Sequence, residues 1–536
     1  MIKMESIYSQ RSVAEWVFKT AKPYVNPFID VMVDVEFTSP NGRVMLMPAF
    51  YAGDGDWKVR LNPAEAGDWQ ARVLSRPTNP DLDRTFRFSV LPAPQTPRGF
   101  LRSTPGKAWG FHYESGEPVF IFGDTVYNLF GMAHNEYDVA AFLQRRAAQG
   151  FNLLRVRLPV SRFHPPEGYS HWQTRSTFPW GGSEQAPRFD QFNLDYFKTV
   201  DQVVQQVEAL GIGLEMIMEA WGFEFPFNSR AIFTAEWEEL WMRYLIARYD
   251  AYNCVAMWTL MNEYEYYPNG EFRHKLVADR WAIRMARWVK HTAAHGHIVA
   301  VHNGPSQPPF AQRFAADPYA IDTILFQGWG SRDRLKGWLA DGIEDQIDLA
   351  LTGWYGSAIF AEWGYERNPQ FDLLMPGHEY CDVSHTRRGA WRGAFCGLGI
   401  IHGFENSWGP WCRLDEDQPG MQHLLQVRRF FTDILPFRPL RRAPELLRSG
   451  RRWEAGARPM ILAAHDLNAL AVYLPVGGEV ELALPGVALY QAEWFNPSSG
   501  DLTPANENGQ TIYTSPAVMD SDGHPLDWVL VLRKKG

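Results

Sequence analysis

CVAMWTLMNE, residues 254–263, is an apolar run that stops at two polar residues, Asn262 and Glu263. Its length and composition are those of a buried strand. Seven further runs of this kind lie between residues 118 and 403. Stretches with apolar residues at helical spacings accompany them at 136–149, 194–210, 234–249, 271–295 and 417–434. Eight strand-helix units over about 300 residues predict an α/β fold, the (β/α)8 or TIM barrel, carrying insertions.

The eight predicted strands end almost uniformly in polar residues. Their predicted ends are Asp124, Arg157, Glu219, Glu263, His302, Gln327, Glu362 and Gly403. In TIM barrels the active site lies where the strands end at the C-terminal face. We therefore expect a functional site among these side chains.

The regions on either side of the barrel have a different pattern. Residues 1–93 contain short alternating runs such as IDVMVDVEF, residues 29–37, separated by turn signals, which is typical of a β-sandwich. The stretch LPAPQTPRG, residues 91–99, holds three prolines and predicts a stiff linker. Short strands return after residue 436. We predict an N-terminal β-sandwich in 1–93, the barrel in 94–436 and a C-terminal β-sandwich in 437–536.

Composition and charge exclude several classes of partner. The net charge is −9 and no run of Lys and Arg is present, which argues against a nucleic-acid surface. No segment is apolar enough to span a bilayer, and the N-terminus lacks the features of a signal peptide, so we expect a cytoplasmic protein. The four cysteines show no CxxC spacing. We predict neither a metal site nor a cofactor.

Two of the strand-end glutamates, Glu263 and Glu362, stand at the ends of the fourth and seventh predicted strands. Retaining glycoside hydrolysis needs two carboxyl groups roughly 5 Å apart, and these two strands can face each other across the mouth of a barrel. The alternative is that each glutamate caps a helix or pairs with an arginine. An ionised carboxylate inside a barrel is costly unless it is paired or used, so we favour a catalytic pair.

The motifs around these glutamates resemble a known clan. Asn262-Glu263 and Glu362 are similar to the retaining (β/α)8-barrel glycosidases of clan A, in which the Glu after the Asn is the acid/base and the seventh-strand Glu is the nucleophile. Within the clan the chain resembles the cellulase-like and apiosidase-like bacterial barrels. The matching motifs are Gly123-Asp124-Thr125, Gly150-Phe151-Asn152, Gln327-Gly328, Glu362-Trp363-Gly364-Tyr365-Glu366 and Gly403. The flanks resemble the β-sandwich that often precedes such barrels and the collagen-binding-like sandwich that often follows them.

The resemblance implies a role for Asn262, and the strand pattern suggests roles for Arg157 and Asp124. Asn262 is expected to hydrogen-bond the 2-hydroxyl of the sugar whose bond is cleaved. Arg155 and Arg157 share one face of the second strand, and Arg157, nearer the strand end, is expected to hold Glu362 ionised. Asp124 either binds a sugar hydroxyl or caps a helix.

Other polar and aromatic residues are further candidates for contact with a sugar. They are Glu219, Trp221, His302, Gln327, Trp329 and Trp408. Aromatic rings can stack on any sugar face, so they say little about which sugar is bound. Many relatives carry a His where this chain has Glu219-Ala220-Trp221, so the family's contacts at that position are not carried over. Glu219 and Glu366 are also the rival carboxylates for the catalytic roles.

We interpret the chain as a retaining O-glycosyl hydrolase that acts on an oligosaccharide or glycoside, with Glu362 as nucleophile and Glu263 as acid/base. Two alternatives remain open. One is a non-catalytic carbohydrate-binding barrel, and the other is a transglycosylase that uses the same site. The two sandwiches are expected to shield the barrel or to form a homo-oligomer.

Overall fold

A computed structural model describes residues 7–107, 109–160, 175–271, 273–304, 309–328, 343–366, 381–404, 407, 414–448, 453, 456–484, 490–505, 511–520 and 523–535. Within these ranges, none of the helices combines the length and apolarity needed to cross a bilayer.

The N-terminal region is a β-sandwich whose two sheets enclose an apolar core. Alternate residues of its strands point inward, as Val33, Val35 and Phe37 do, which is the period-two pattern of a half-covered sheet. The strands are β1 (Ile7–Ser9), β2 (Ala14–Lys19), β3 (Met32–Thr38), β4 (Val44–Pro48), β5 (Phe50–Gly53), β6 (Asp56–Leu61), β7 (Gly67–Arg76) and β8 (Thr85–Leu91). One sheet has the order β1-β8-β7-β3-β4, and the facing sheet has the order β2-β6-β5.

Eight parallel strands then close into a barrel. The strands of this region are β9 (Leu101–Ser103), β10 (Phe111–Tyr113), β11 (Pro118–Val119), β12 (Phe122–Thr125), β13 (Leu153–Arg157), β14 (Trp180–Gly182), β15 (Pro187–Phe192), β16 (Gly213–Trp221), β17 (Val255–Asn262), β18 (Ile298–His302), β19 (Thr323–Gln327), β20 (Ser357–Glu362) and β21 (Gly399–His402). The barrel order is β12-β13-β16-β17-β18-β19-β20-β21. The strands β9 to β11 form a small antiparallel sheet, and β14 pairs with β15 in a separate hairpin.

Helices alternate with the barrel strands. They are α1 (Leu129–His134), α2 (Val139–Ala148), α3 (Leu194–Leu210), α4 (Ala235–Tyr249), α5 (Leu276–Thr292), α6 (Phe310–Arg313), α7 (Ile343–Leu351), α8 (Val383–Phe395) and α9 (Gly420–Arg429). The local sequence determines where α3 begins and ends. The Asn193 side chain accepts the Tyr196 N–H at the start of α3, and Gly211 ends that helix in the left-handed conformation.

The C-terminal region is a second β-sandwich. Its strands are β22 (Leu440–Arg442), β23 (Met460–Ala464), β24 (Ala469–Leu474), β25 (Glu479–Glu481), β26 (Tyr490–Phe495), β27 (Leu502–Pro504), β28 (Ile512–Thr514) and β29 (Trp528–Lys534). The larger sheet has the order β22-β23-β24-β29-β26-β27, and β25 pairs with β28. The fold is therefore the predicted TIM barrel flanked by two β-sandwiches.

Buried ion pairs join both sandwiches to the barrel helices. In the N-terminal sandwich, Arg60 lies 2.9 Å from Asp201 of α3 and donates to the Arg248 carbonyl of α4 at 2.6 Å. In the C-terminal sandwich, Asp527 lies 2.8 Å from Arg387 of α8. Each sandwich thus packs against the helical outside of the barrel and leaves the strand ends to form the site.

Candidate active site

Glu263 and Glu362 come together at the mouth of the barrel, where β17 and β20 end. The Gln327 side chain, at the end of β19, joins them. Its Nε2 donates to Glu263 Oε1 at 2.6 Å and to Glu362 Oε1 at 3.1 Å. Because both oxygens lie close to one nitrogen, Glu263 Oε1 and Glu362 Oε1 are within about 6 Å of each other.

The backbone of Glu263 has an uncommon conformation. Its φ is 51° and its ψ is 55°, the left-handed region, and it begins the short 3-10 turn Tyr264–Tyr266. A non-glycine residue keeps this conformation only where its surroundings hold it there, and such residues cluster at functional sites.

Glu362 lies against a cation, a hydroxyl group and an imidazole. Arg155 Nη1 lies 3.2 Å from Glu362 Oε2, and the Tyr127 hydroxyl donates to the same oxygen at 3.5 Å. His302 Nε2 lies 3.5 Å from it. Burial and the Arg155 charge lower the pKa of His302 well below its usual range, so this imidazole is neutral.

The expected partner of Glu362 was Arg157, and the structure corrects this. Arg155 is the residue that contacts Glu362, while Arg157 pairs with Glu224. Arg155 also lies 3.4 Å from Glu215, its register partner on β16, deep inside the barrel. The long guanidinium side chain reaches the strand ends from this deeper position, whereas Arg157 already stands at the strand end and turns toward the segment after β16.

Asn262 is oriented by the same arginine. Its Oδ1 accepts a hydrogen bond from Arg155 Nη2 and another from the Tyr127 hydroxyl, the latter at 3.4 Å. Its Nδ2 is buried and has no hydrogen-bond partner among the described residues. An unpaired buried amide donor is costly, so this N–H group is available to a ligand in the barrel mouth.

The two carboxyl groups differ in their electrostatic surroundings. Burial raises the pKa of Glu263 to about 8, and the neighbouring Glu362 charge adds to this rise. Burial also raises the pKa of Glu362, but Arg155 and the hydroxyl groups of Tyr365 and Tyr127 oppose it. Of the two carboxyl groups, Arg155 forms its ion pair among the described residues with Glu362, which favours a shared proton on Glu263.

The structure removes Asp124 from the list of sugar contacts. Its carboxylate is fully buried, accepts from Arg146 Nε at 2.7 Å and accepts from the Ser407 hydroxyl at 3.3 Å. It does not cap the following helix either, because Asn128 is the residue that precedes α1. The reason is that Asp124 lies within β12, where its side chain is enclosed by the barrel wall.

Glu219 also lies in a separate cluster. It accepts from Arg230 Nη2 at 2.8 Å, and Arg230 donates to Glu238 of α4 at 2.7 Å. Burial raises the pKa of Glu219 to about 8, Arg230 opposes the rise, and the Glu238 charge adds to it. Within the described part of the chain, Glu219 forms no hydrogen bond or ion pair with Glu263 or Glu362.

Trp221 lies beside Arg157 at the same end of the barrel. The Arg157 guanidinium lies over its ring at 4.6 Å and over the Tyr127 ring at 5.5 Å. Phe223 stacks on Trp221 with ring centroids 5.2 Å apart. Of the remaining candidates, Trp329 and Trp408 lie outside the described residues.

Several residues of the site were not predicted. Tyr127 follows β12, Tyr365 follows β20, and Glu215 lies inside β16. Glu215 accepts from the Thr259 hydroxyl at 2.9 Å and lies against Arg155. Period-two alternation places Glu215 and Glu219 on one face of β16, and this signal could have identified Glu215. The two tyrosines stand in loops, where no spacing rule identifies them.

Eight parallel strands with a pair of carboxyl groups at their C-terminal ends define a glycoside hydrolase-like barrel, and they support a glycosidase. A family model described as "Apiosidase-like, catalytic domain" matches residues 108–430, more than half of the chain, and the chain belongs to this family. Two further models match the flanks. A domain of unknown function matches residues 9–76, and a "Putative collagen-binding domain of a collagenase" matches residues 454–533.

Solved structures share the whole architecture at low identity. A "putative glycoside hydrolase" from Bacteroides vulgatus is 16% identical, with a TM-score of 0.69, and the match covers 98% of this chain and 99% of that one. A glycoside hydrolase family 5 protein from Bacteroides vulgatus is 16% identical, with a TM-score of 0.60, and the match covers 82% and 93%. These likenesses show the fold. Among curated proteins, no sequence matches the chain.

Proposed function

We propose that this protein is a retaining O-glycosyl hydrolase that cleaves a glycosidic bond of an oligosaccharide or glycoside. The observation that carries the proposal is the single nitrogen, Gln327 Nε2, within hydrogen-bond distance of both Glu263 and Glu362. Carboxyl groups this close match the spacing of retaining enzymes, whereas inverting enzymes separate theirs by about 6.5 Å or more to admit a water molecule.

The proposed reaction has two steps. Glu362 attacks the anomeric carbon while Glu263 gives its proton to the departing oxygen, so that the glycosidic bond breaks and a glycosyl ester forms on Glu362. Glu263, now ionised, then takes a proton from a water molecule, which attacks the anomeric carbon and releases Glu362. The raised pKa of Glu263 supports its role as the acid. The Arg155 contact supports an ionised nucleophile.

We further propose that the unpaired donors around the site bind sugar hydroxyl groups. Asn262 Nδ2 has no partner among the described residues, and the same holds for Nε and Nη1 of Arg157. Arg157 is already neutralised by Glu224, which favours a neutral sugar over an anionic one. Trp221 supplies an aromatic face beside these donors. His302, Gln327, Trp329 and Trp408 complete the proposed set.

The test is a screen of aryl glycosides and of plant and bacterial polysaccharides against wild type, Glu263→Gln and Glu362→Gln. We expect turnover by the wild type, with loss of at least three orders of magnitude in kcat for Glu362→Gln. Glu366→Gln is the matched control. Glu366 is also a buried carboxylate, but it accepts from the Thr386 hydroxyl at 3.0 Å and the Gly420 N–H at 3.1 Å. The amide oxygen of Gln can accept the Gly420 N–H, and its NH2 group can donate to the Thr386 hydroxyl oxygen.

The outcomes separate the alternatives. Unchanged turnover by Glu362→Gln contradicts the assignment of the nucleophile. Glycan binding without turnover favours a non-catalytic barrel, and products longer than the substrate identify a transglycosylase. The anomeric configuration of the first product, followed by proton NMR, distinguishes retention from inversion.

A further inference from the structure

The two residues that follow Glu263 are both held by one arginine. Arg313, the last residue of α6, donates from Nη1 to the Tyr264 hydroxyl at 3.0 Å and to Glu265 Oε1. The Tyr264 hydroxyl in turn donates to Asp279 of α5 at 3.0 Å. Tyr264, Glu265, Asp279 and Arg313 are all buried. The chain immediately after the acid/base is therefore fixed by charged and hydrogen-bonded contacts rather than by apolar packing alone.

These contacts bear on the backbone of Glu263 because that residue is in the left-handed region. In isolation a non-glycine residue leaves this region readily. Here the next two side chains are anchored to α5 and α6, so the 3-10 turn that starts at Glu263 cannot unwind without breaking a buried ion pair and two buried hydrogen bonds.

A series of hydrogen bonds also connects Glu265 to the carboxyl group of Glu263. Glu265 Oε2 accepts the Gly304 N–H at 2.7 Å, just after β18. The neighbouring Asn303 accepts the Gln327 N–H at 2.8 Å, and the Gln327 side chain donates to Glu263 at 2.6 Å. These hydrogen bonds link the ends of β17, β18 and β19. They begin at Glu265 and end at Glu263, two residues earlier in the same segment.

We propose that Arg313, acting through Tyr264 and Glu265, is a positioning residue that aims the acid/base Glu263 at the leaving oxygen. The inference rests on the proposed function, because it concerns the proton transfer of that reaction. Among the described residues, Arg313 contacts the two residues after Glu263 and is not hydrogen-bonded to Glu263 or Glu362. Its effect is therefore expected on the geometry of proton donation and not on nucleophilic attack.

The test compares two leaving groups, because acid catalysis matters only where the leaving oxygen needs a proton. The probes are the 2,4-dinitrophenyl and phenyl glycosides of the sugar that the wild type accepts in the screen. For Arg313→Met, we expect kcat/KM for the phenyl glycoside to fall at least tenfold, as expected for a misplaced general acid. For the dinitrophenyl glycoside, we expect kcat/KM to fall by less than about threefold, because that leaving group departs without a proton.

Two further variants guard against simple misfolding. Tyr264→Phe removes the hydroxyl group between Arg313 and Asp279, and the substituted side chain carries no charge. We expect kcat/KM for the phenyl glycoside to fall selectively in this variant too, but by less than in Arg313→Met. Arg248→Met is the matched control, because Arg248 forms a comparable buried pair with Asp201 at 2.7 Å on the outside of the barrel. We expect Arg248→Met to lower kcat/KM for the phenyl and the dinitrophenyl glycoside by the same factor.

Equal losses on both glycosides in Arg313→Met and Tyr264→Phe, or no loss on the phenyl glycoside, would overturn the positioning role while leaving the proposed function intact. Failure of the wild type to turn over any glycoside would overturn the proposed function, and this inference with it.

Discussion

Glu263 and Glu362 differ in the groups that contact them, and this difference supports the roles proposed for them. Arg155 and Tyr127 contact Glu362, whereas Gln327 contacts both carboxyl groups. The cation stabilises the ionised form of Glu362, and that negative charge in turn disfavours ionisation of Glu263. These contacts favour a single proton on Glu263 rather than on Glu362, which is the placement that the proposed acid/base role requires.

This arrangement predicts a stability effect that needs no substrate. The pKa of Glu263 is raised to about 8, far above its unfolded value of 4.5. Below pH 4.5 Glu263 is protonated in both the folded and the unfolded state, so its titration does not change the free energy of unfolding. As the pH rises from 4.5 to 8, Glu263 ionises in the unfolded state but stays protonated in the folded state. Ionisation lowers the free energy of the unfolded state, so the free energy of unfolding decreases. Glu263→Gln should therefore melt at a higher temperature than wild type at pH 7.5.

The measurement is the melting temperature of both proteins from about pH 4 to pH 9. The difference should be near zero at the acid end, grow toward pH 8 and then level off. Glu479→Gln, at an exposed position of the C-terminal sandwich, serves as the control. A difference that does not change with pH would argue against a raised pKa at Glu263.

The meeting of Glu263 and Glu362 at one end of the barrel could be predicted from sequence, whereas the residues around them could be predicted only in part. Glu263 and Glu362 each close an apolar strand, and strand ends meet at one face of a barrel. The choice between Arg155 and Arg157 depends on depth within the barrel and on the reach of the side chain. Alternation places both on one face and does not distinguish them.

At the scale of elements, α8 packs against side chains at the end of β20, the strand that carries Glu362. Gly393 allows the helix to lie against the Phe360 ring, 2.5 Å from where a Cβ would be, and a Cβ at Gly389 would overlap the Trp363 indole. Trp363 stacks on Phe360 with ring centroids 4.9 Å apart. These two rings flank Glu362 in the chain, so the helix packs directly on the residues that orient it.

Gly389→Ala is predicted to destabilise the protein and to impair the site. In a helix interior free of contacts this change is stabilising by about 1 kcal/mol. Here the methyl group would push Trp363, and overpacking of this kind costs about 1–3 kcal/mol. We expect a lower melting temperature and a loss of kcat of at least about tenfold, because Trp363 is bonded to Glu362 in the chain.

A double-mutant cycle checks the mechanism. Trp363→Leu removes the ring that meets the new methyl group, so Gly389→Ala should be less damaging in that background than in wild type. Additive effects of the two substitutions would show that Gly389 matters for a reason other than its contact with Trp363.

The presence of α8 was not predicted, although α3 was predicted at its observed limits. The α8 sequence VSHTRRGAWRGAF contains three arginines and two glycines, which hide the apolar period that identifies α3. Those arginines are buried because they pair with acidic and carbonyl groups of neighbouring elements. Such pairing is a tertiary property that local periodicity does not encode.

At the scale of the whole molecule, α8 also connects the barrel to the C-terminal sandwich. Arg387 and Arg388 of this helix lie 2.8 Å and 3.8 Å from Asp527, and the Tyr473 hydroxyl donates to Asp527 at 3.1 Å. The Arg388 guanidinium also donates to the Pro525 carbonyl at 2.8 Å. The boundaries at residues 93 and 436 remain a proposal, but these contacts make the sandwich part of the support for β20.

Asp527→Asn tests whether the barrel and the C-terminal sandwich unfold as one unit. Burial disfavours the charge of Asp527, yet Arg387 and Arg388 hold its pKa below its usual value, so the ion pair stabilises the protein at neutral pH and is lost as the pH falls below about 4. Removing the charge leaves buried guanidinium groups without a counter-ion, at a cost of about 3–5 kcal/mol.

By calorimetry, we expect Asp527→Asn to lower the melting temperature of one cooperative transition at pH 7 and to converge with wild type in acid. Glu493→Gln is the control, since its partner Arg533 is half-exposed and a pair of that kind contributes about 1 kcal/mol or less. Two separated transitions in the variant would mean that the sandwich melts independently and does not support the strand that carries Glu362. A single shifted transition would mean that the C-terminal sandwich and the barrel unfold as one unit, with Asp527 contributing to the stability of both.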